Sequence, residues 1–398
     1  MTPRSRRARL LTVLLAVGLV AVACGDSDDD AEPATDTTAA AESEPATDDT
    51  TAPDETVAAD GGAVDAVIPP ERCEANEAAG TVTYVTSFDF AATAAILDPI
   101  VADAEGFFAE MCLDVEIVPG FAPGNAALVA EGQAQMSSAG SFGELVNNNV
   151  NGGADLIAVA QYGKTAIEGL VIPADSPVDP DDLPGTLPGT VMGIKGDIPY
   201  SLQAMLGLLG VERGSFEEPL LDGFDPIAHL DLGIDALPVY KSNEPNQLDL
   251  AGVDYTLIDP LDLDVPSSFG IHFTSQSFLN EHPTAVQDFI RASFRGFQFA
   301  LDNPEAAVDH AFVLINDAGS FLSIEGESFR WSVEGPLVVE TTPAGEGIGL
   351  LDTERLGAEI DLLTSVGVYE STPDWQSMIA ESVATELYDG ETLIWPAG

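Results

Sequence analysis

The 398-residue sequence predicts an α/β fold in which two lobes enclose a ligand cleft. Three observations carry this. Strand and helix patterns alternate from residue 81 to 172, as in a mainly parallel sheet with helical crossovers. A Pro-, Asp- and Gly-rich stretch, ADSPVDPDDLPGTLPGT at 174–190, reads as a passage into a second α/β unit. From Ser268 the chain then returns to the first lobe. In open α/β sheets ligands sit beyond the carboxyl ends of the strands, so strand-end loops are the places to search.

In chain order, TVTYVT at 81–86 alternates polar and apolar residues like a half-buried strand. Residues 94–111 place Ile96, Leu97, Ile100, Val101 and Phe108 at helical spacing. A strand follows at 113–118, then a helix at 125–131 with Asn125 as its expected N-cap. A short strand at 133–138 runs into Ala139-Gly140-Ser141. Buried strands are expected at 156–161 and 169–172. The second unit opens with a strand at 191–194, a turn at 195–199 and a helix at 200–209. Strands at 227–230 and 255–258 follow, and residues 273–279 lead to Pro283, which suits the first turn of a helix. Val286, Ile290, Phe294, Phe297 and Leu301 line one face of that helix. Residues 305–398 read as largely helical, with Trp331 and Trp375 as packing anchors.

The N-terminus sets the compartment. Arg4, Arg6, Arg7 and Arg9 precede a short apolar run, and Ala21-Val22-Ala23-Cys24 ends it in the manner of a bacterial lipobox. Residues 1–24 are therefore expected to be a lipoprotein signal peptide, with Cys24 becoming the lipidated first residue. Residues 25–77 are Asp, Glu, Thr, Ala and Pro with few large apolar side chains, which predicts a disordered acidic tether. The chain holds 67 acids against 13 bases, a formal net charge of −54, which excludes nucleic acid and anionic lipid surfaces as partners of the folded part.

Three cysteines are present. With Cys24 lipidated in an exported chain, Cys73 and Cys112 are left to pair as a disulfide. Too few Cys and His are available, and none at ligand spacing, for a metal site. No His stands in a local signature beside a cysteine, which argues against a Cys–His nucleophile.

Three segments together resemble the substrate-binding proteins of ABC importers, in the branch shared by sulfonate, nitrate and thiamine-pyrimidine binders. They are VADAEGFFAEMCLDVEIVPG (101–120), AALVAEGQAQMSSAGSFGELV (126–146) and LNEHPTAVQDFIRASFRGFQFALDNPEAAV (279–308). The resemblance implies a type II periplasmic-binding-protein fold, with lobe 1 at 78–175 and 270–398 and lobe 2 at 176–269. It implies a monomeric receptor outside the cell membrane, anchored by lipid, needing no cofactor. Such a receptor closes on a small solute and delivers it to an ABC permease with its ATPase subunits. A thiamine-precursor pyrimidine, a flavin or a similar aromatic heterocycle is the expected ligand; a sulfonate such as taurine, or nitrate, is the alternative. One branch of the family is a thiamine-pyrimidine synthase. This chain lacks that branch's Cys cluster and has Ile96 where the branch carries a catalytic His. A structural lipoprotein with a vestigial cleft is the remaining reading.

Asp89 and Phe90 follow the first strand where the pyrimidine branch resembles Asp-Trp, and Phe90 could stack on a flat ring or pack under its loop. Ser138, Gly140, Ser141 and Phe142 lie where a strand turns into a helix, so hydroxyls and amides could meet a ligand there, or Ser141 could simply cap the helix. Gln161 and Tyr162 end a strand facing the same region. Lys195, Asp197 and Tyr200 form the matching turn of the second lobe. Tyr240, Asn243 and Glu244 complete the set. Lys195 suits an anion and Glu244 suits an amine or a ring N–H, so these residues leave the ligand's charge open.

Overall fold

The computed structural model describes residues 66–315 and 322–396. The signal segment, Cys24 and the acidic stretch as far as residue 65 lie outside the described residues. The strands are β1 (Thr81–Val85), β2 (Asp114–Val118), β3 (Met136–Ala139), β4 (Leu156–Gly163), β5 (Glu168–Pro173), β6 (Leu237–Tyr240), β7 (Tyr255–Ile258), β8 (Phe269–Ser275), β9 (Tyr388–Asp389) and β10 (Thr392–Leu393). The first lobe is built on a five-stranded sheet of order β2-β1-β3-β8-β4. β1 pairs in parallel with β2 and β3, while β8 runs antiparallel to both β3 and β4. Every residue of β4 and β8 is buried, as a sheet covered by helices on both faces requires.

The second sheet, β6-β5-β7, is antiparallel throughout. The mainly parallel expectation therefore holds for the β2-β1-β3 half of the first sheet and fails for the second. β5 belongs to the second sheet, so the chain crosses between lobes at residues 164–167, ahead of the Pro- and Gly-rich stretch at 174–190. The expected strand at 191–194 forms only isolated bridges, to Glu217, Leu220 and Ala236. The expected strand at 227–230 is a short helix, Pro226–Leu230, because Asp225 caps it by accepting from the amides of Ile227 and Ala228.

Helix Pro283–Asp302 forms the spine of the first lobe and buries Val286, Ile290, Phe294 and Phe297. It crosses helix Leu97–Ala104 at Gly296, where an added Cβ would stand 2.2 Å from the carbonyl oxygen of Asp98. Only a glycine allows that approach. The single helix expected at 94–111 is divided, because Gly106 takes the left-handed conformation (φ 77°) and a second, short helix starts at Phe107. Trp331 anchors helix Ile324–Thr341 by donating from Nε1 to the Ala300 carbonyl at 2.9 Å.

Residues 70–77, assigned to the tether on composition, are not extended chain. Pro70–Glu77 is a helix held on the first lobe. Arg72 makes a 2.7 Å bond to Asp288, Asn76 donates to Asp288 and to the Met111 carbonyl, and Cys73 is bridged to Cys112 with Cα atoms 5.2 Å apart. These few polar and covalent ties supply the order that the apolar-poor sequence could not. Among the described residues, no helix is long and apolar enough to cross a membrane.

Candidate functional site

The carboxyl ends of β1, β2, β3 and β4 lie along one edge of the first sheet, and second-lobe residues meet that edge. The nominated turn after β3 is its centre. Ser141 caps helix Phe142–Val150 by accepting from the Glu144 amide at 3.1 Å. Glu144 reaches back to the Gly140 amide at 2.8 Å, close to the reciprocal pairing of a capping box. The Phe142 amide donates to Ser268 Oγ at 2.9 Å and the Gly143 amide to Glu359 Oε1 at 2.8 Å. The opening amides of the helix are thus occupied, and two carboxyl groups stand at its positive end. Those amides are therefore not open to an anionic ligand.

The second lobe brings Tyr200 and Tyr240 against this turn. A Cβ at Gly143 would sit 3.3 Å from Tyr200 Cγ, and one at Gly140 would sit 3.9 Å from Tyr240 Oη. Burial and the surrounding carboxyl groups of Glu168, Glu144, Glu244 and Glu334 hold the Tyr240 phenol well above its ordinary range. The residue as a whole is 41% exposed. The phenol is therefore a donor at any physiological pH.

Positive charge is present but committed. Lys195 pairs with Glu244, whose other oxygen accepts the Tyr240 amide at 2.8 Å. Arg330, on helix Ile324–Thr341, is held by Glu327 at 3.0 Å and donates across the lobes to Asn243 at 3.2 Å. Glu334 on the same helix accepts from Ser242 of the second lobe at 2.7 Å and from the Ala94 amide at 2.9 Å. Helix Ile324–Thr341 thus ties the loop after β1 to the end of β6, and the two lobes touch.

Burial raises the carboxyl pKa of Glu144, Glu168 and Glu334, and lifts that of Glu359 from 4.5 to about 7. A carboxyl group raised in the folded state stabilises below its unfolded pKa, and that contribution is lost as pH rises through the folded value. For Glu359 the window runs from 4.5 to about 7. The melting temperature should fall between pH 4.5 and about pH 7, and Glu359→Gln should flatten the profile. Calorimetry across that range would read this; an unchanged slope in the variant would remove Glu359 as the cause.

Other nominated residues lie elsewhere. Phe90, Phe142 and Tyr162 belong to the hydrophobic cores and not to the cleft surface. Tyr162 donates to Asp98 at 2.5 Å and stacks on Phe297 at 4.6 Å. Gln161 is fully buried and accepts the Asp352 amide, bracing the C-terminal segment. Ser138 is buried between Tyr84 and Ser87. Asp197 lies in an exposed ion pair with Arg213. Asp89 adopts positive φ, and its amide donates to Gly120, so its backbone shapes the loop. The Asn125 side chain does not cap its helix, which starts at Ala122; it braces Thr86 and Ser137.

Sequence reading passed over Glu144, Glu168, Ser242, Arg330, Glu334 and Glu359. Glu144 alone had a local signal, three residues after a serine cap. Among the described residues, the one Cys/His/Asp/Glu group close enough to hold a metal is Cys73, Glu77 and Cys112, and its sulfurs are bonded to each other. A depression of about 450 Å³ lies apart, between Leu261–Pro266 and Asp352–Ala358, and contains none of the nominated residues.

The family model described as NMT1/THI5 like matches residues 94–307, more than half of the chain. The chain belongs to this family. A riboflavin-binding protein, RibY from Chloroflexus aurantiacus, is 28% identical over 146 residues, which cover 36% of this chain and 41% of that protein. The chain thus matches about two fifths of that relative's length. Two solved structures share the fold at low identity. The aliphatic sulphonate binding protein SsuA of Escherichia coli aligns with TM-score 0.54 and 12% identity, over 80% of this chain and 96% of that one. The nitrate-binding protein NrtA of Synechocystis PCC 6803 aligns with TM-score 0.55 and 12% identity, over 77% and 87%. This NMT1/THI5-like chain accordingly has the periplasmic binding protein fold.

Proposed function

We propose that this protein is a lipid-anchored, extracytoplasmic receptor of an ABC importer that captures a small aromatic heterocycle bearing N–H donors. The observation that carries the ligand class is the filled helix start after β3: its amides are taken and Glu144 and Glu359 stand beside it. Tyr200 and Tyr240 supply ring faces, and glutamates supply acceptors. A flavin or an aminopyrimidine fits that chemistry better than taurine or nitrate. Family membership and fold support a receptor, and Ile96, which the resemblance aligns with the synthase branch's catalytic His, is a fully buried apolar residue.

Mass spectrometry of ligand co-purified with the mature protein tests this reading, with melting-temperature shifts for flavins, pyrimidines, sulfonates and nitrate. A ligand at 100 times its Kd should add about 2.7 kcal/mol of stability. Recovery of taurine or nitrate would sink the heterocycle. Product formed by the purified protein with iron would instead revive the synthase.

Anchoring predicts that Cys24→Ser releases the protein from the membrane fraction; retention of that variant would refute Cys24 as the lipid site. The Cys73–Cys112 bridge closes a sequence separation of 39 residues, and breaking it with Cys112→Ser should cost about 2–4 kcal/mol. Two titratable thiols in the denatured, unreduced protein would show that the bridge does not form.

A further inference from the structure

Three phenylalanines outside the nominated set meet at the cleft. Phe88 follows β1 and Phe121 follows β2, at the carboxyl ends of neighbouring parallel strands. Phe224 comes from the second lobe, just ahead of helix Pro226–Leu230. Phe88 meets Phe121 edge-on with ring centroids 5.6 Å apart, and meets Phe224 edge-on at 5.4 Å. The Phe88–Phe224 contact therefore joins the two lobes. Phe121 is 51% and Phe224 37% exposed, unusual for aromatic rings in a chain that buries most of its large apolar side chains.

The first-lobe pair is held firmly. The Asp89 amide donates to the Gly120 carbonyl at 3.0 Å and the Ala122 amide to the Ser87 carbonyl at 2.8 Å, which fixes the two strand-end loops on either side of the rings. Phe224 stands on the opposite lobe, so hinge motion changes its distance from Phe88. The same edge continues to the carboxylate end of the cleft. Ser138 Oγ bonds to Ser87 Oγ at 3.0 Å, and Gly140, two residues on, faces Tyr240.

We infer that Phe88, Phe121 and Phe224 form the ring-binding end of the cleft, with a flat heteroaromatic part of the ligand replacing the contact between Phe88 and Phe224. This rests on the receptor reading above and adds an orientation: ring toward the phenylalanines, N–H edge toward Tyr240 and the glutamates. The rings now meet edge-on, 5.4 Å apart and 81° between planes, so seating a flat ring between them needs the lobes to part and one phenyl ring to turn. A rigid first-lobe pair and one moving jaw lose little side-chain freedom on binding, which favours tight capture.

Riboflavin and an aminopyrimidine are the probes, titrated against the full chain by calorimetry. Phe224→Ala should weaken binding of the ring probe by tenfold or more, while Phe224→Tyr keeps most of the affinity. Phe88→Ala should act in the same direction. Ring binding by the wild-type protein that survives both alanine variants unchanged would overturn this inference and leave the receptor reading standing. Failure of the wild-type protein to bind either ring would overturn both.

Discussion

Replacing Asp98 with alanine should destabilise the protein by about 2–4 kcal/mol, because it leaves two buried hydrogen-bonding partners unsatisfied at about 1–3 kcal/mol each. Asp98 is completely buried; its Oδ2 accepts from Tyr162 Oη at 2.5 Å and contacts His272 Nε2 at 2.8 Å. Both partners are themselves fully buried, so the variant leaves a hydroxyl and an imidazole nitrogen away from water without an acceptor. Asp98 also opens helix Leu97–Ala104, where a carboxylate suits the helix dipole. Urea unfolding of wild type and variant measures the loss; a difference under about 1 kcal/mol would refute the network's role. The partner variant Tyr162→Phe separates two readings of Tyr162. As a core residue it should lower stability and leave ligand affinity unchanged. A fall in affinity at constant stability would return Tyr162 to the cleft.

That residue shows where the sequence was legible and where it was not. The elements of the first lobe follow from period and turn chemistry: the strand from TVTYVT, the spine from Val286, Ile290, Phe294 and Phe297, and the Ser141 cap from its position before an apolar helix. The second lobe was less legible because its sheet is short and irregular. Residues 191–194 look like a buried strand yet make only isolated bridges, and the apolar run at 227–230 is overruled by the Asp225 cap. Strand ends pointed to the edge where the two lobes meet but not to which side chains face it. Side chains alternate along a strand, so Tyr162 enters the core while Gln161 turns the other way to brace Asp352. Phe88, two residues before the nominated Phe90, is the ring that reaches the other lobe. Long-range partners were the least legible. Glu334, Glu359 and Arg330 come from the C-terminal helices, and nothing in their local sequence announces that they meet residues 93–94, 143 or 243.

Charge is the link between that geometry and recognition. A receptor for sulfonate or nitrate needs uncommitted positive groups or open amides in its cleft. Here Lys195 and Arg330 are each held by a glutamate, and the amides at the start of helix Phe142–Val150 are taken. Burial also favours the neutral form of Glu144, Glu168, Glu334 and Glu359. Glu359, lifted to about 7, can both donate and accept near neutral pH.

Tyr240→Ala should therefore have the largest effect on ligand affinity, a loss of tenfold or more, equivalent to about 1.4 kcal/mol. The residue ends β6, its hydroxyl stands over Gly140 from the opposite lobe, and its phenol stays protonated among the carboxylates. It combines a ring face with a donor, which is why a tyrosine in such a place outweighs either function alone. Its partial exposure means that truncation opens no core cavity, so stability should change by less than about 1 kcal/mol. Tyr240→Phe separates the contributions: it keeps the ring and should recover its apolar contact, while the deficit that remains measures the hydrogen bond. The measurement is a titration of the co-purified ligand, with riboflavin as the probe in parallel, against wild type and both variants. Affinity of Tyr240→Ala within twofold of wild type, with the fold intact by circular dichroism, would remove Tyr240 from the site. It would also shift the weight of recognition to the phenylalanine end of the cleft.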